Sequence, residues 1–147
     1  MDLILWRHAE AVEPTLALAD TDRPLTDKGR KQAERMARWL NLHLPRATVL
    51  ASPTLRTRQT AETLGRKVRT VDALGPGGSV DELLAAAGWP DAAQPVIIVG
   101  HQPTLGQVAA SLMTGAAMPW TVRKGGGLWL RHRERDDGGQ VLLFAAL

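Results

Sequence analysis

Short apolar runs alternate along the chain with longer stretches whose apolar residues recur at helical spacing. Leu3 to Trp6 is apolar on both phases, the pattern of a strand buried on both faces, and it runs directly into Arg7 and His8. Residues 10 to 24 are mixed and hold Pro14 and Pro24, which predicts a loop. Thr26 offers an N-cap to a helix from Asp27 to about Leu42, with Ala33, Met36, Ala37, Leu40 and Leu44 on one face. Val49 to Ala51 reads as a second strand. Ser52 as cap and Pro53 in the first turn then open a helix that runs to about Leu64 and stops at Gly65. Val68 to Val71 is a weaker strand, followed by the loop Gly75-Pro76-Gly77-Gly78. Ser79 and Glu82 have capping-box spacing for a short helix ending at Gly88.

Val96 to Val99 is a continuous β-branched strand, and Gly100-His101-Gln102-Pro103 leads from it into a helix to about Met113, stopped by Gly115. Strands alternating with helices at this spacing predict a three-layer α/β/α sandwich around a mostly parallel sheet. The end of the chain differs: Gly127 to His132 and Val141 to Ala146 flank the polar Asp137-Gly138-Gly139, which predicts a C-terminal antiparallel hairpin.

Composition narrows the classes. The 147 residues are 44% apolar and 22% charged, enough to bury roughly 70% of the unfolded surface in one core, so residues 1–147 are expected to form one domain. No apolar run approaches the ~20 residues that cross a bilayer. The start, Met1-Asp2-Leu3-Ile4-Leu5-Trp6-Arg7, lacks a basic region and a small-residue cleavage site, so a cytoplasmic protein with no membrane association is expected. The absence of Cys excludes disulfides, thiol nucleophiles and Cys-ligated zinc. A net charge of +3, carried by fourteen Arg and four Lys, favours anionic partners. With one Phe, no Tyr and no long basic tract, the chain is poorly supplied for stacking on single-stranded nucleic acid, and no nucleic-acid partner is expected.

Candidate chemistry gathers at strand ends. Arg7 and His8 follow the first strand, Arg56 lies just beyond the second, and His101 follows Val96 to Val99. In an open α/β sheet the carboxyl ends of the strands form the ligand crevice. Two imidazoles and two guanidiniums brought there from distant segments suit a tetrahedral oxyanion. Arginine forks bind phosphate bidentately, and an imidazole can act as nucleophile or proton donor.

The local strings are more specific. Leu5-Trp6-Arg7-His8-Ala9-Glu10 resembles the Arg-His signature of the histidine phosphatase superfamily, with Ala9 where Gly is usual. Asp22-Arg23-Pro24-Leu25-Thr26-Asp27-Lys28-Gly29 resembles its Leu-Thr-x-x-Gly helix start, Ser52 to Ala61 its second arginine motif, and Val99-Gly100-His101 its second histidine motif. The short length, together with Arg23-Pro24-Leu25-Thr26 and Val99-Gly100-His101-Gln102-Pro103, narrows the resemblance to the SixA-like phosphohistidine phosphatases. It implies a phosphoglycerate mutase-like fold and cofactor-independent chemistry. His8 would be the nucleophile that takes the phosphoryl group, with Arg7, Arg56 and His101 completing the phosphate pocket and Arg23 as a fifth phosphate ligand. The implied substrate is phosphohistidine on a signalling or phosphotransfer protein, such as a histidine-containing phosphotransfer domain.

Two alternatives stay open: a small-molecule phosphomonoesterase, and a non-catalytic module that binds phosphate or a phosphoprotein. The esterase needs an acid for its alkoxide leaving group, and Asp81 and Glu82 lie in the right interval, although Glu82 is equally the partner of Ser79. Imidazole leaves a phosphoramidate with less proton donation. Other charged residues have plainer readings. Glu10 and Glu13 are loop carboxylates that could serve as bases, and Arg58 and Arg123-Lys124 could touch phosphate or a partner. His43 suits a helix-end contact and His132 carries no motif. The run Arg131 to Asp137 reads as a solvated hairpin tip and Gly125-Gly126-Gly127 as a flexible strand entry. Trp6 and Trp39 suit the core, whereas Trp89 and Trp120 fall in loops and could line a partner surface. No His-x-x-x-His pair or acidic ligand spacing supports a metal site, and no cofactor is expected.

Overall fold

Period-two alternation inside the apolar runs sets the layers. The computed structural model describes residues 1–134 and 139–146. In β1 (Asp2–Arg7), Leu3 and Leu5 face one side of the sheet and Ile4 and Trp6 the other, all buried. The same alternation runs through β2 (Thr48–Ala51) and β4 (Val96–Gly100). Ile4, Trp6, Val49, Ala51, Ile97 and Val99 pack against Ala33, Ala37 and Leu40 of α1 (Asp27–His43) and Ala61 of α2 (Leu55–Glu62). Leu3, Leu5, Leu50, Val96 and Ile98 pack against Leu83 and Ala87 of α3 (Val80–Ala87) and Leu105, Val108 and Ala109 of α4 (Thr104–Thr114).

With β3 (Arg69–Thr70), β5 (Gly127–His132) and β6 (Gln140–Ala146), the sheet has six strands in the order β3-β2-β4-β1-β5-β6. The first four are mutually parallel, while β5 runs antiparallel to both β1 and β6. This is the expected three-layer α/β/α sandwich with its antiparallel C-terminal hairpin. The expected turn at residues 137 and 138 lies outside the described residues.

Local chemistry accounts for the boundaries. The Thr26 side chain accepts from the Gly29 amide to cap α1, and Ser79 accepts from Glu82 to cap α3. Gly88 and Gly115 end α3 and α4 in the left-handed conformation. A Cβ on Gly106 would overlap the Trp120 carbonyl oxygen, so glycine allows the 116–126 segment to lie against α4.

Three expectations need correction. Ser52 does not cap α2, which starts at Leu55 with Thr54 in the cap position; its hydroxyl accepts from His101 Nε2 (2.8 Å) and from the Thr54 amide (3.4 Å) ahead of the helix. Arg131 is not at a hairpin tip: it sits in β5 opposite Asp2 of β1 and, although its side chain is partly exposed, binds that carboxylate with Nε (2.7 Å) and Nη2 (2.8 Å). Residues 135–137 of that run lie outside the described residues. Trp89 packs on the α3/α4 core edge-on to His132, with ring centroids 5.7 Å apart, rather than standing free for a partner. Trp120 is 36% exposed. His43 Nδ1 donates to the Trp39 carbonyl (2.9 Å), and the ring stacks on that of Trp39.

Candidate active site

Strand register brings the polar residues to one edge. Ala51 and Trp6 both pair with Val99, and Arg7 pairs with Gly100, so the next residues in each strand, Ser52, His8 and His101, emerge side by side. The His8 and His101 rings lie 5.4 Å apart between centroids and are 6% and 5% exposed. Arg56, in the first turn of α2, closes the same corner: its Nη2 is 3.5 Å from His101 Nδ1. Burial fits residues that must hold fixed donors in a dry pocket.

A backbone clamp holds Arg7 and His8. Their amides donate to Gly126 O (2.9 Å) and Gly100 O (3.1 Å), and the Gly125 amide donates back to the carbonyls of Arg7 (3.2 Å) and His8 (3.0 Å). Gly125 adopts φ +76°, open to glycine at little cost, so the triple glycine is a shaped support and not merely a flexible strand entry. Arg7 Nη1 donates to Val122 O at 2.9 Å. Ala9 causes no strain, since among the described residues only glycines have positive φ, and its amide donates to Thr60 Oγ1 at 3.0 Å.

The tautomers follow from the contacts. His8 Nδ1 lies 2.8 Å from the Ala9 carbonyl oxygen, which can only accept, so Nδ1 carries the proton and Nε2 keeps its lone pair. For His101 the guanidinium beside Nδ1 can only donate, so Nε2 carries the proton and donates to Ser52 Oγ at 2.8 Å. Burial, reinforced by the guanidiniums of Arg56 and Arg7, pushes His8 down to about 4, against a smaller upward pull from the Ala9 carbonyl. Burial and Arg56 likewise push His101 down to about 3. Both rings are therefore neutral at pH 7.

Asp20 completes the cluster, and residue spacing did not mark it. Arg56 Nη1 donates to the Asp20 carbonyl (2.8 Å) and Nη2 to its Oδ2 (3.2 Å), while Arg23 reaches Oδ1 with Nη2 at 3.0 Å. Burial alone would raise the Asp20 carboxyl, but Arg56 and Arg23 outweigh it and hold it below its ordinary value. Arg23 is thus joined to the pocket through Asp20 and also donates to Val12 O at 3.1 Å. Ser52 and Asp20 could have been suspected, one as the first polar residue after a strand and the other as a loop acid three residues before Arg23.

Other candidates fall elsewhere. Glu10 accepts from Thr26 Oγ1 at 2.7 Å, which ties the loop to the start of α1, and Glu13 is exposed. Asp81 and Glu82 are exposed on the first turn of α3, where Glu82 Oε1 accepts from Ser79 Oγ (3.2 Å). Neither acid bonds to His8, Arg7, Arg56 or His101. Among the described residues, no three His, Asp or Glu side chains gather as a metal site, and no helix is long and apolar enough to cross a membrane.

A parallel sheet whose carboxyl edge carries buried, neutral imidazoles among guanidiniums has the donor chemistry that suits a phosphoryl-type oxyanion. Comparison with known proteins agrees. The model of the histidine phosphatase superfamily (branch 1) matches residues 3–74. The phosphohistidine phosphatase SixA of Escherichia coli is 31% identical over 130 residues, spanning 81% of this chain and 78% of SixA. An uncharacterized protein of Picosynechococcus is 38% identical over 125 residues, 78% of this chain and 74% of the relative. A solved structure of the protein histidine phosphatase SixA complexed with tungstate superposes with a TM-score of 0.79 at 26% identity, covering 99% of this chain and 96% of that one. The chain belongs to the histidine phosphatase superfamily and is SixA-like, which makes it a phosphatase, a hydrolase of phosphoryl groups.

Proposed function

We propose that the protein hydrolyses phosphohistidine on a signalling or phosphotransfer protein, through a phosphoryl group carried on His8. The observation that carries this reading is the Nδ1–H bond of His8 to Ala9 O, which leaves a neutral Nε2 lone pair among Arg7, Arg56 and His101. Nε2 attacks phosphorus, and the substrate's P–N bond breaks with its electrons retained by the departing imidazole. Water then attacks the phosphorus on His8, releasing inorganic phosphate and restoring the free ring. Arg7 and Arg56 would stabilise the charge on the three equatorial oxygens, joined by His101 once the bound oxyanion draws a proton onto its Nδ1, with Arg23 as a further ligand reached through Asp20. The SixA structure that holds tungstate, a tetrahedral oxyanion, supports a phosphate-shaped pocket here.

Leaving-group chemistry favours the phosphoramidate over an ester. An alkoxide needs a proton donor, and the carboxylate that touches the pocket, Asp20, is held ionised by two guanidiniums. The basic surface suits an acidic phosphoprotein.

The test is metal-free turnover, with EDTA present, of a phosphohistidine protein and a phosphoramidate beside a panel of phosphate monoesters, with His8→Ala as control. Selective P–N cleavage that disappears in a folded His8→Ala protein is the expected result. Broad ester cleavage would instead assign a phosphomonoesterase, and bound phosphate without turnover a binding module.

A further inference from the structure

The opposite end of the sheet carries a second concentration of positive charge. The segment entering β2 and the connection from α2 to β3 border an open cavity of about 370 Å³ lined by Arg46, Arg66, Lys67 and Arg69 together with Pro45. No acidic side chain lines it. Arg46, Lys67 and Arg69 are exposed, and none of the four cations forms an ion pair with a described residue. Arg66 Nη1 makes one long bond to Ala47 O (3.4 Å), while its Nε and Nη2 are buried with no partner. Four cations therefore line one cavity with no carboxylate among them. An anion drawn into the cavity supplies the missing counter-charge.

This place is distinct from the His8 pocket. Thr48, which lines the cavity, opens β2, whereas Ser52, which touches His101, follows its end. At the rise of a strand, about 13 Å of sheet lies between them. The volume falls at the small end of ordinary small-molecule sites. A single phosphate would leave two of the four cations unmatched, whereas a di- or triphosphate carries charge for more of them, and the exposed Pro45 in the lining offers a contact to an apolar body.

We propose that this cavity is a second anion site that takes a small molecule bearing a di- or triphosphate group. The proposal stands apart from the reading of His8. A nucleotide and inorganic polyphosphate share the recognised chemistry. The Pro45 contact favours the nucleotide.

The experiment titrates the full chain with ATP and, separately, with inorganic tripolyphosphate at constant ionic strength, following backbone amide shifts by NMR. Both ligands are expected to move the amides of residues 47–49 and 66–69, in the wild type and in His8→Ala alike, with ATP the tighter. Equal affinity for tripolyphosphate would retain the site and assign it to inorganic polyphosphate. Arg66→Gln and the exposed Arg69→Gln should each weaken binding about tenfold, the loss of one hydrogen bond to a charged group, and leave phosphoramidate turnover unchanged. Three results would overturn the proposal: shifts confined to the surroundings of His8 and His101, affinity unmoved by either variant, or a hexaglutamate peptide binding as tightly as ATP.

Discussion

Asp20 grips Arg56 twice, through its backbone carbonyl at 2.8 Å and its Oδ2 at 3.2 Å, and so places a carboxylate against a guanidinium of the pocket. The backbone contact orients Arg56 whatever the side chain does. The carboxylate, by contrast, competes with an incoming oxyanion for the same nitrogen. Its side chain is 52% exposed, so solvent screens the competition. Asp20→Asn should therefore tighten tungstate or phosphate binding by about twofold to fivefold, the equivalent of an exposed ion pair, as measured by calorimetry. Weaker binding would mean that the charge on Asp20 chiefly positions Arg56.

Arg56→Ala removes a guanidinium that is 4% exposed and, in the proposed reaction, would face developing charge. It should lower kcat by about 10² to 10³ and raise KM as well, the usual result of deleting one oxyanion donor. Steady-state kinetics on a phosphoramidate reads both constants. An unchanged kcat would restrict Arg56 to substrate capture.

Ser52→Ala deprives the buried His101 Nε2–H of its acceptor at 2.8 Å and leaves only Thr54 Oγ1 at 3.5 Å. The stability cost should be about 1–3 kcal/mol, with kcat falling about tenfold as the ring loses its fixed orientation. Ser52→Thr should recover most of the activity. Chemical denaturation and a pH–rate profile together separate the positioning role from a general loss of fold.

Both pocket histidines are neutral in the folded chain, with values of about 4 for His8 and about 3 for His101. An unfolded histidine titrates near 6.5. Below pH ~6.5 the unfolded chain takes up protons that the folded chain refuses, so stability falls with falling pH, and the loss levels off only as pH passes the folded values. The denaturation midpoint should therefore decline from pH 7 to pH 5, and less steeply in His8→Ala. A bound oxyanion opposes the guanidinium repulsion and favours a proton on His101 Nδ1. Tungstate binding near pH 6 should accordingly take up protons, visible as a calorimetric enthalpy that varies with buffer.

Local and periodic patterns decided much of this molecule in advance. The apolar runs at Leu3–Trp6, Val49–Ala51 and Val96–Val99 are buried on both faces, so burial alone specified central parallel strands, and the caps Thr26 and Ser79 marked where helices begin. The motifs placed Arg7, His8 and His101 at strand ends, where strand direction and register bring them together, and Arg56 in the helix that follows the second strand. What sequence could not decide was which long-range partner each polar group would take. Ser52 could satisfy a helix amide or an imidazole, and packing against β4 gave it to His101. Asp20 had no periodic neighbour, and the folding back of its loop set it on Arg56. Gly125 and Arg131 were legible only as a flexible glycine and a surface charge until β5 lay beside β1, because a hydrogen bond between residues more than a hundred positions apart is specified by the closed sheet and by nothing local.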